Sequence, residues 1–189
     1  LGIEQVQIVP GPMAATSMVF IHYPISHSLV MAIVWALLGG IAYWIARRWN
    51  REAWVFGAVI LSHWLLDFPM HQPDLPLWPG SAILAGGSLW NSLPITLVIE
   101  FVLLGVGIFV YLQITRARDR IGSVGFWALI AAMVVGYLSS LASPAPSENA
   151  LAFGATALML FIPWAHWVDR HRALRADRAA GVGAQVTAR

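Results

Sequence analysis

Five long apolar stretches, separated by short polar segments, dominate the chain. They cover about residues 27–45, 52–68, 89–115, 121–142 and 149–168. Each is long enough, at about 17 residues or more, to cross a bilayer as a helix. Small residues recur every fourth position in the first and fourth stretches, which favours close packing between helices in lipid. The pattern predicts an all-α, polytopic transmembrane helical bundle with five spans.

Composition narrows the class of protein and the kinds of site it can hold. Of 189 residues, 59% are hydrophobic and 11% are charged, which is not typical of a soluble domain. Cysteine is absent, so disulfides and thiolate metal sites are excluded. Any metal ion must therefore be bound by histidine, carboxylate or water.

The basic residues are all arginines, and they cluster at span ends. The clusters follow the first, third and fifth spans: Arg47, Arg48 and Arg51; Arg116, Arg118 and Arg120; Arg170 and Arg172. Alternating spans put all of them on one side, so the positive-inside rule predicts an external N-terminus and a cytoplasmic C-terminus in a bacterial-type inner membrane. We interpret them as topology signals and expect no nucleic-acid partner.

The start and end of the chain complete this organisation. Residues 1–26 contain no Arg or Lys and do not start with Met, so we expect an external loop preceded by one more helix, giving six spans in the full gene product. Residues 1–172 are predicted to form a single transmembrane domain, and residues 173–189 a flexible cytoplasmic tail.

The second span carries a polar stripe at its outer end. His63, Asp67 and His71 recur every four residues and so share one side of a helix. Imidazole and carboxylate at this spacing can bind one divalent ion, through either His63/Asp67 or Asp67/His71. All three reach one ion only if Pro69 bends the chain. His27, at the outer start of the first span, would complete a metal site that suits Zn²⁺ best, with Mn²⁺ or Fe²⁺ as alternatives.

Other polar residues are expected around this site. Glu100 lies about nine residues inside the third span, at the same depth as His63, and is the candidate catalytic base. Candidates for supporting positions are His22, Asp74, Asn91, Ser92 and Thr96. The structural alternative is a hydrogen-bonded polar seam between helices, with Glu100 a buried, protonated carboxyl.

Two blocks of sequence resemble a known family. They are His22-Tyr-Pro-Ile-Ser-His27-Ser-Leu and Ser62-His63-Trp-Leu-Leu-Asp67, followed by Leu77-Trp-Pro79. In order and spacing they are similar to the His-Arg-Gly-x-Thr-His-Ser-Leu and Ser-His-x-x-x-Asp blocks of the YdjM-like family of predicted inner-membrane metal-dependent hydrolases. The resemblance covers about residues 22–80 and places His22, His27, His63 and Asp67 at matching positions.

The chain also departs from that family pattern. Tyr23-Pro24 replaces Arg-Gly, and the early Leu-Pro-Asp-x-Asp-His block is absent from this sequence. That block either lies before Leu1 or has been lost in this branch. If it has been lost, a two-metal centre is disfavoured and a mononuclear or purely structural site is favoured.

These observations predict a membrane-embedded, metal-dependent hydrolase that acts on an ester or phosphoester at the outer face, with membrane lipid or a lipid-linked molecule as substrate. A transporter using the stripe as a relay is one alternative, but it requires polar groups in the inner halves of the first two spans, which are apolar. A structural or assembly subunit bound to partner membrane subunits is the other, and it predicts no metal.

Overall fold

A computed structural model describes residues 4–9, 11, 13–48 and 51–175 of the chain. Five of its helical segments are long and apolar enough to cross a membrane: Leu29–Ala46, Glu52–Met70, Leu93–Ile114, Ile121–Ala142 and Asn149–Arg170. The predicted all-α class and the five predicted spans are therefore confirmed.

The helices differ from the predicted spans mainly at their ends. Their bounds are α1 Pro24–His27, α2 Leu29–Ala46, α3 Glu52–Met70, α4 Leu93–Ile114, α5 Phe126–Ala142, α6 Glu148–Leu158 and α7 Phe161–Arg170. A 3₁₀ turn, Leu89–Asn91, precedes α4, and a π-helical turn, Ile121–Gly125, precedes α5. The fifth span is α6 and α7 joined by a turn at Met159 and Leu160, where one continuous helix was predicted.

Three short antiparallel strand pairs accompany the helices in the described residues. Their strands are β1 Gln5–Ile8 with β2 Met18–His22, β3 Leu75–Pro76 with β4 Leu84–Ala85, and β5 Thr115–Ala117 with β6 Arg172–Leu174. The sequence pattern predicts loops for the first two pairs. It predicts a flexible tail from residue 173, but Ala173 and Leu174 pair with the chain leaving α4. The rest of the predicted tail, 176–189, lies outside the described residues.

The chain divides into two compact units, Leu1–Leu97 and Val98–Arg189, where the sequence pattern suggests one domain. In the first unit, α2 and α3 are antiparallel and approach closely at small residues. A Cβ added to Gly57 would lie 2.9 Å from the Ala36 carbonyl oxygen, and the Gly57 Cα lies close to Gly40. This contact uses part of the small-residue pattern that the first span shows.

The apolar core of the first unit lies near the start of α2 and the end of α3. Tyr23, Ala32, Trp64 and Leu75 are buried there. Around them pack Phe20, Leu29, Leu61, Leu77 and Ala85. This core links both helices to the first hairpin and to the loop after α3, so it fixes the end of the helix pair where the polar stripe lies.

In the second unit, the β5–β6 pair joins the end of α4 to the end of α7. Arg172 is buried beside it and donates to Thr115 Oγ1 (3.1 Å) and to the Gly122 carbonyl (2.7 Å). Its guanidinium lies 5.0 Å from the ring centres of both Tyr111 and Phe126. A buried cation is thus satisfied by hydrogen bonds and aromatic faces.

Candidate metal centre

Three of the four predicted metal ligands lie together. His63 Nε2 is 3.2 Å from Asp67 Oδ2, and His27 Nε2 is 3.8 Å from the same oxygen. One ligand atom from each of the three residues lies within 4.8 Å of the others. Metal–ligand bonds of about 2.0–2.2 Å in a tetrahedron put ligand atoms about 3.3–3.6 Å apart. The two distances to Asp67 Oδ2 are close to this spacing, and the 4.8 Å limit for the set is wider, so the three side chains fit a single divalent ion once they draw slightly together.

The Asp67 carboxylate carries the clearest sign of an unsatisfied site. Its Oδ2 atom is buried, and no hydrogen bond of standard geometry reaches it from the described residues. A buried anionic oxygen without a partner is costly. Two imidazole nitrogens face this oxygen, and a donor set of two imidazoles and one carboxylate fits a divalent cation.

The local fold explains how ligands from two segments converge. His63 and Asp67 lie one turn apart on α3. His27 ends the short helix α1, after which Ser28 adopts an extended backbone (φ −80°, ψ 145°) before α2 begins. Trp64 Nε1 donates to the His27 carbonyl at 2.9 Å. Thus α3 supplies two ligands and also anchors the backbone of the third.

The His27 ring is held with one nitrogen toward Asp67. Its Nδ1 is hydrogen-bonded to Ser26 Oγ at 2.5 Å, so Nε2 is the nitrogen that faces the site. Burial lowers the pKa of His27 below its ordinary value, and this outweighs the opposite effect of Asp67. The Ser26 hydrogen bond orients the ring, and the lowered pKa keeps it neutral; both favour His27 as a metal ligand.

Glu4 anchors the helix that carries His27. Its carboxylate accepts from the backbone N–H groups of Ile25 (3.0 Å) and Ser26 (2.7 Å). Burial by itself would raise the pKa of Glu4, but these hydrogen bonds lower it below the ordinary value. The sequence pattern missed Glu4, because an acid more than twenty residues from its partner leaves no local signal. Ser26 could have been found from its place next to His27.

His71 lies beside the three ligands and not among them. Its backbone turns extended (φ −63°, ψ 151°), and its Nδ1 pairs with Asp74 Oδ1 at 3.1 Å. The ring is buried, with its centre 5.8 Å from that of His27. The bend expected at Pro69 therefore does not bring His71 into the ligand group. Asp74, a predicted supporting residue, is hydrogen-bonded to one nitrogen of the His71 ring.

Aromatic side chains enclose His71. The ring centres of Phe20 and Trp90 lie 4.8 and 4.4 Å from that of the imidazole. The Tyr23 hydroxyl is buried without a hydrogen bond of standard geometry, although it faces the Asp74 carboxylate. Burial, aided by Asp74, raises the pKa of Tyr23 above its ordinary value. The sequence pattern did not identify these aromatic neighbours.

The remaining supporting candidates have other positions. His22 is exposed at the end of β2. Asn91 accepts from Gln72 Nε2 at 3.3 Å, and buried Thr96 donates to the Leu89 carbonyl at 2.8 Å. The Ser92 carbonyl accepts from the Thr96 N–H at 2.9 Å. Asn91, Ser92 and Thr96 therefore stabilise the chain entering α4.

Glu100 belongs to the second unit. Its carboxyl faces the Tyr137 hydroxyl, and the two residues line a cavity of about 170 Å³ with Phe101, Leu104, Met133 and Val134. An ionisable group within a membrane span is a functional candidate. Its role as general base stays a prediction.

One side of the three-ligand cluster is open. The His63 side chain is 56% exposed, whereas the side chains of His27 and Asp67 are 20% exposed. An ion held there would keep a coordination position for a further ligand. The cluster is thus accessible on the side of His63.

Five membrane-spanning helices, with convergent imidazoles and a carboxylate at one end of a helix pair, define a polytopic helical membrane protein with a candidate cation site. The chain belongs to the YdjM inner membrane protein family, whose model matches residues 11–145. This match confirms the predicted resemblance and the membrane location. No curated protein and no solved structure matches the chain.

Proposed function

We propose that this protein is a membrane-embedded, metal-dependent hydrolase acting on an ester or phosphoester of a lipid or lipid-linked molecule. The observation that carries the proposal is the buried Asp67 Oδ2, which lacks a hydrogen bond while the Nε2 atoms of His27 and His63 face it. A cation at this point would satisfy all three groups.

The composition of the cluster supports a catalytic ion. Catalytic zinc sites typically have three protein ligands and one open position, whereas structural sites have four protein ligands. His27, His63 and Asp67 provide three, and the exposed edge of His63 leaves room for a fourth. Zn²⁺ suits this nitrogen and oxygen set best, and Mn²⁺ or Fe²⁺ are alternatives.

The residues of the chain have separate roles in this proposal. A bound divalent ion supplies Lewis-acid activation of water and of an ester or phosphoester oxygen. Asp67 contributes negative charge, and Ser26 keeps His27 oriented toward it. The buried His71–Asp74 pair packs behind His27 and limits its movement. The predicted role of Glu100 as general base is tested separately, because its carboxyl belongs to the second unit and faces Tyr137.

Charge distribution supports an outer-face location. The cluster lies at the end of α2 and α3 that is opposite to Arg47 and Arg51. In the second unit, the pairing of β5 with β6 brings Arg116 and Arg172 to a common end, as alternating spans require. The positive-inside rule then favours an external N-terminus, a cytoplasmic C-terminus and a site level with the outer head groups. This position is the reason for proposing a lipid substrate.

Metal content tests the site directly. The chain, purified in mild detergent and dialysed against Zn²⁺, should retain about one ion per chain by elemental analysis. His63→Ala and Asp67→Asn should lose it while keeping their helical circular dichroism. His166→Ala, which changes an exposed histidine in α7, is the matched control and should bind as wild type does. Wild-type protein without bound metal would exclude the proposal.

A chelator separates a metal site from a hydrogen-bonded seam. At a free ion concentration 100 times Kd, binding stabilises the folded state by about 2.7 kcal/mol. EDTA should therefore lower the unfolding temperature of wild type and leave that of Asp67→Asn unchanged. Equal behaviour of the two proteins would favour the seam.

Hydrolysis is tested separately from binding. The Zn²⁺-loaded chain would be incubated in vesicles with phospholipids and with simple aryl esters and phosphoesters. Glu100→Gln should keep the metal but lower the rate about 100-fold, the size expected for loss of a general base. A metal-binding protein with unchanged hydrolysis in Glu100→Gln would remove Glu100 from the reaction without removing the metal site.

A further inference from the structure

A second feature of the first unit is an apolar groove between α2 and α3. Its volume is about 320 Å³, and it begins at Arg51. Its walls are Ala36, Leu37, Gly40, Ile41 and Trp44 from α2, and Ala53, Trp54, Gly57, Ala58 and Leu61 from α3. The small residues that bring the helices together form its floor, and larger apolar side chains form its rims.

The groove is separate from the candidate metal centre. A helix turns by about 100° per residue, so Trp54, Ala58 and Leu61 share one side of α3. By the same turn, His63 and Asp67 lie on nearly the opposite side. The groove is therefore not the path by which a molecule would reach those ligands, and its occupant is independent of the proposed hydrolysis.

Positive charge marks one end of the groove. Arg51 lines it, and Arg47 and Arg48 lie just beyond the end of α2. The nearby acid, Glu52, accepts a hydrogen bond from Tyr43 at 3.0 Å. In the part of the chain that the structure describes, no carboxylate lies within ion-pair distance of Arg51. An anionic group is the complement of this end.

The length and the rim of the groove indicate what lies below that anionic group. Arg51 and Leu61 are ten residues apart, about 15 Å along a helix, which is half of the roughly 30 Å hydrocarbon core. That is the depth of the acyl chains of one leaflet, whereas a partner helix would need the full thickness. Trp54 is 79% exposed beside Arg51, as interfacial indoles are.

We propose that this groove binds one anionic phospholipid, with its phosphate at Arg51 and an acyl chain along α2 and α3. Basic pockets between membrane helices recognise anionic head groups, while the apolar walls accept the chain. The acyl chain lies in the groove, beside the close contact of the two helices.

Native mass spectrometry of the chain in mild detergent tests this. Phosphatidylglycerol and phosphatidylcholine with identical acyl chains would be titrated, and retained lipids counted. We expect one phosphatidylglycerol to be retained in preference to phosphatidylcholine. Loss of one arginine contact should weaken retention about fivefold in Arg51→Gln, while Arg51→Lys should restore most of it.

Two further variants make the result specific. Arg118→Gln removes an exposed arginine of the second unit and should bind as wild type does. Ala58→Phe fills the groove and should reduce retention of both lipids. The proposal would be overturned by equal retention of the two lipids or by equal loss in Arg51→Gln and Arg118→Gln. It would also be overturned if Ala58→Cys formed a disulfide-linked dimer, since a second copy would then occupy the groove. Metal content should be unchanged in all these variants, so failure here leaves the proposed hydrolase intact.

Discussion

The indole of Trp64 donates a 2.9 Å hydrogen bond to the backbone carbonyl of His27, across 37 residues of sequence. Trp64 directly follows the candidate ligand His63 and is itself buried in the apolar core. The relative position of the two ligand-bearing segments is therefore set by a residue that cannot bind metal.

Trp64→Phe should weaken the candidate site while the chain still folds. The ring volume is largely kept, but the hydrogen bond is lost, at a cost of about 1 kcal/mol in the free energy of unfolding. Because supporting contacts orient metal ligands, we expect Zn²⁺ affinity to fall about 10- to 100-fold. Competition with a fluorescent chelator measures this change.

A tryptophan of the same unit provides the control. Trp78 is 45% exposed, and Trp78→Phe should leave Zn²⁺ affinity unchanged. Unchanged affinity in Trp64→Phe would show that the His27 segment keeps its position through Ser26, Glu4 and packing alone.

The approach of α2 to α3 depends on Gly57. A Cβ at this position would lie 2.9 Å from the Ala36 carbonyl oxygen, and backbone atoms have little freedom to move away. Gly57→Ala should therefore separate the helices and lower the free energy of unfolding by about 1–3 kcal/mol. Titration from mild detergent into sodium dodecyl sulfate, followed by circular dichroism, gives this value.

Gly105 is the matched position, because a Cβ there would meet nothing within 4 Å. Gly105→Ala should be neutral or stabilising by up to about 1 kcal/mol, as expected from helix propensity. The same loss of stability in both variants would contradict a specific close contact at Gly57.

Local patterns in the sequence are sufficient to predict the spans and part of the candidate site. Hydropathy fixes α2 to α5, because lipid imposes apolar residues over a fixed length. The four-residue spacing of His63 and Asp67 predicts a shared helix face, and their side chains indeed meet. Such features depend only on neighbours within one element.

The approach of His27 to Asp67 was predicted, but other features that depend on distant contacts were not. Glu4, just before β1, anchors Ile25 and Ser26 of α1, and β5 pairs with β6 across more than fifty residues. Short strands have too few residues to show an alternating pattern. The four-residue spacing also gave the wrong position for His71, because α3 ends at Met70 and the backbone of His71 is extended.

Arg172 should be a major source of stability in the second unit. It is buried, its guanidinium lies 5.0 Å from the ring centres of both Tyr111 and Phe126, and it donates two hydrogen bonds. Arg172→Ala should lower the free energy of unfolding by about 3 kcal/mol, since it removes charged hydrogen bonds and aromatic contacts together. Arg170→Ala changes its exposed neighbour and should cost little. Equal effects in the same detergent titration would argue against the buried arrangement.

The Asp119–His171 pair should make the β5–β6 region sensitive to acid. His171 Nδ1 lies 2.6 Å from Asp119 Oδ2, and the Gly122 N–H donates to Oδ1 at 2.9 Å. The hydrogen bond with His171, followed by that from Gly122, lowers the pKa of Asp119 below its ordinary value.

A carboxylate whose pKa is lower in the folded state contributes stability above the ordinary aspartate pKa of about 4, and this contribution is lost as the pH falls through the lowered value. The protection of the backbone amides of β5 and β6 against hydrogen exchange, measured relative to the intrinsic exchange rate at each pH, should therefore fall below about pH 4 in wild type. In Asp119→Asn, exchange should already be faster at neutral pH and should lack this acid step. An acid step of the same size in Asp119→Asn would assign the transition to another group.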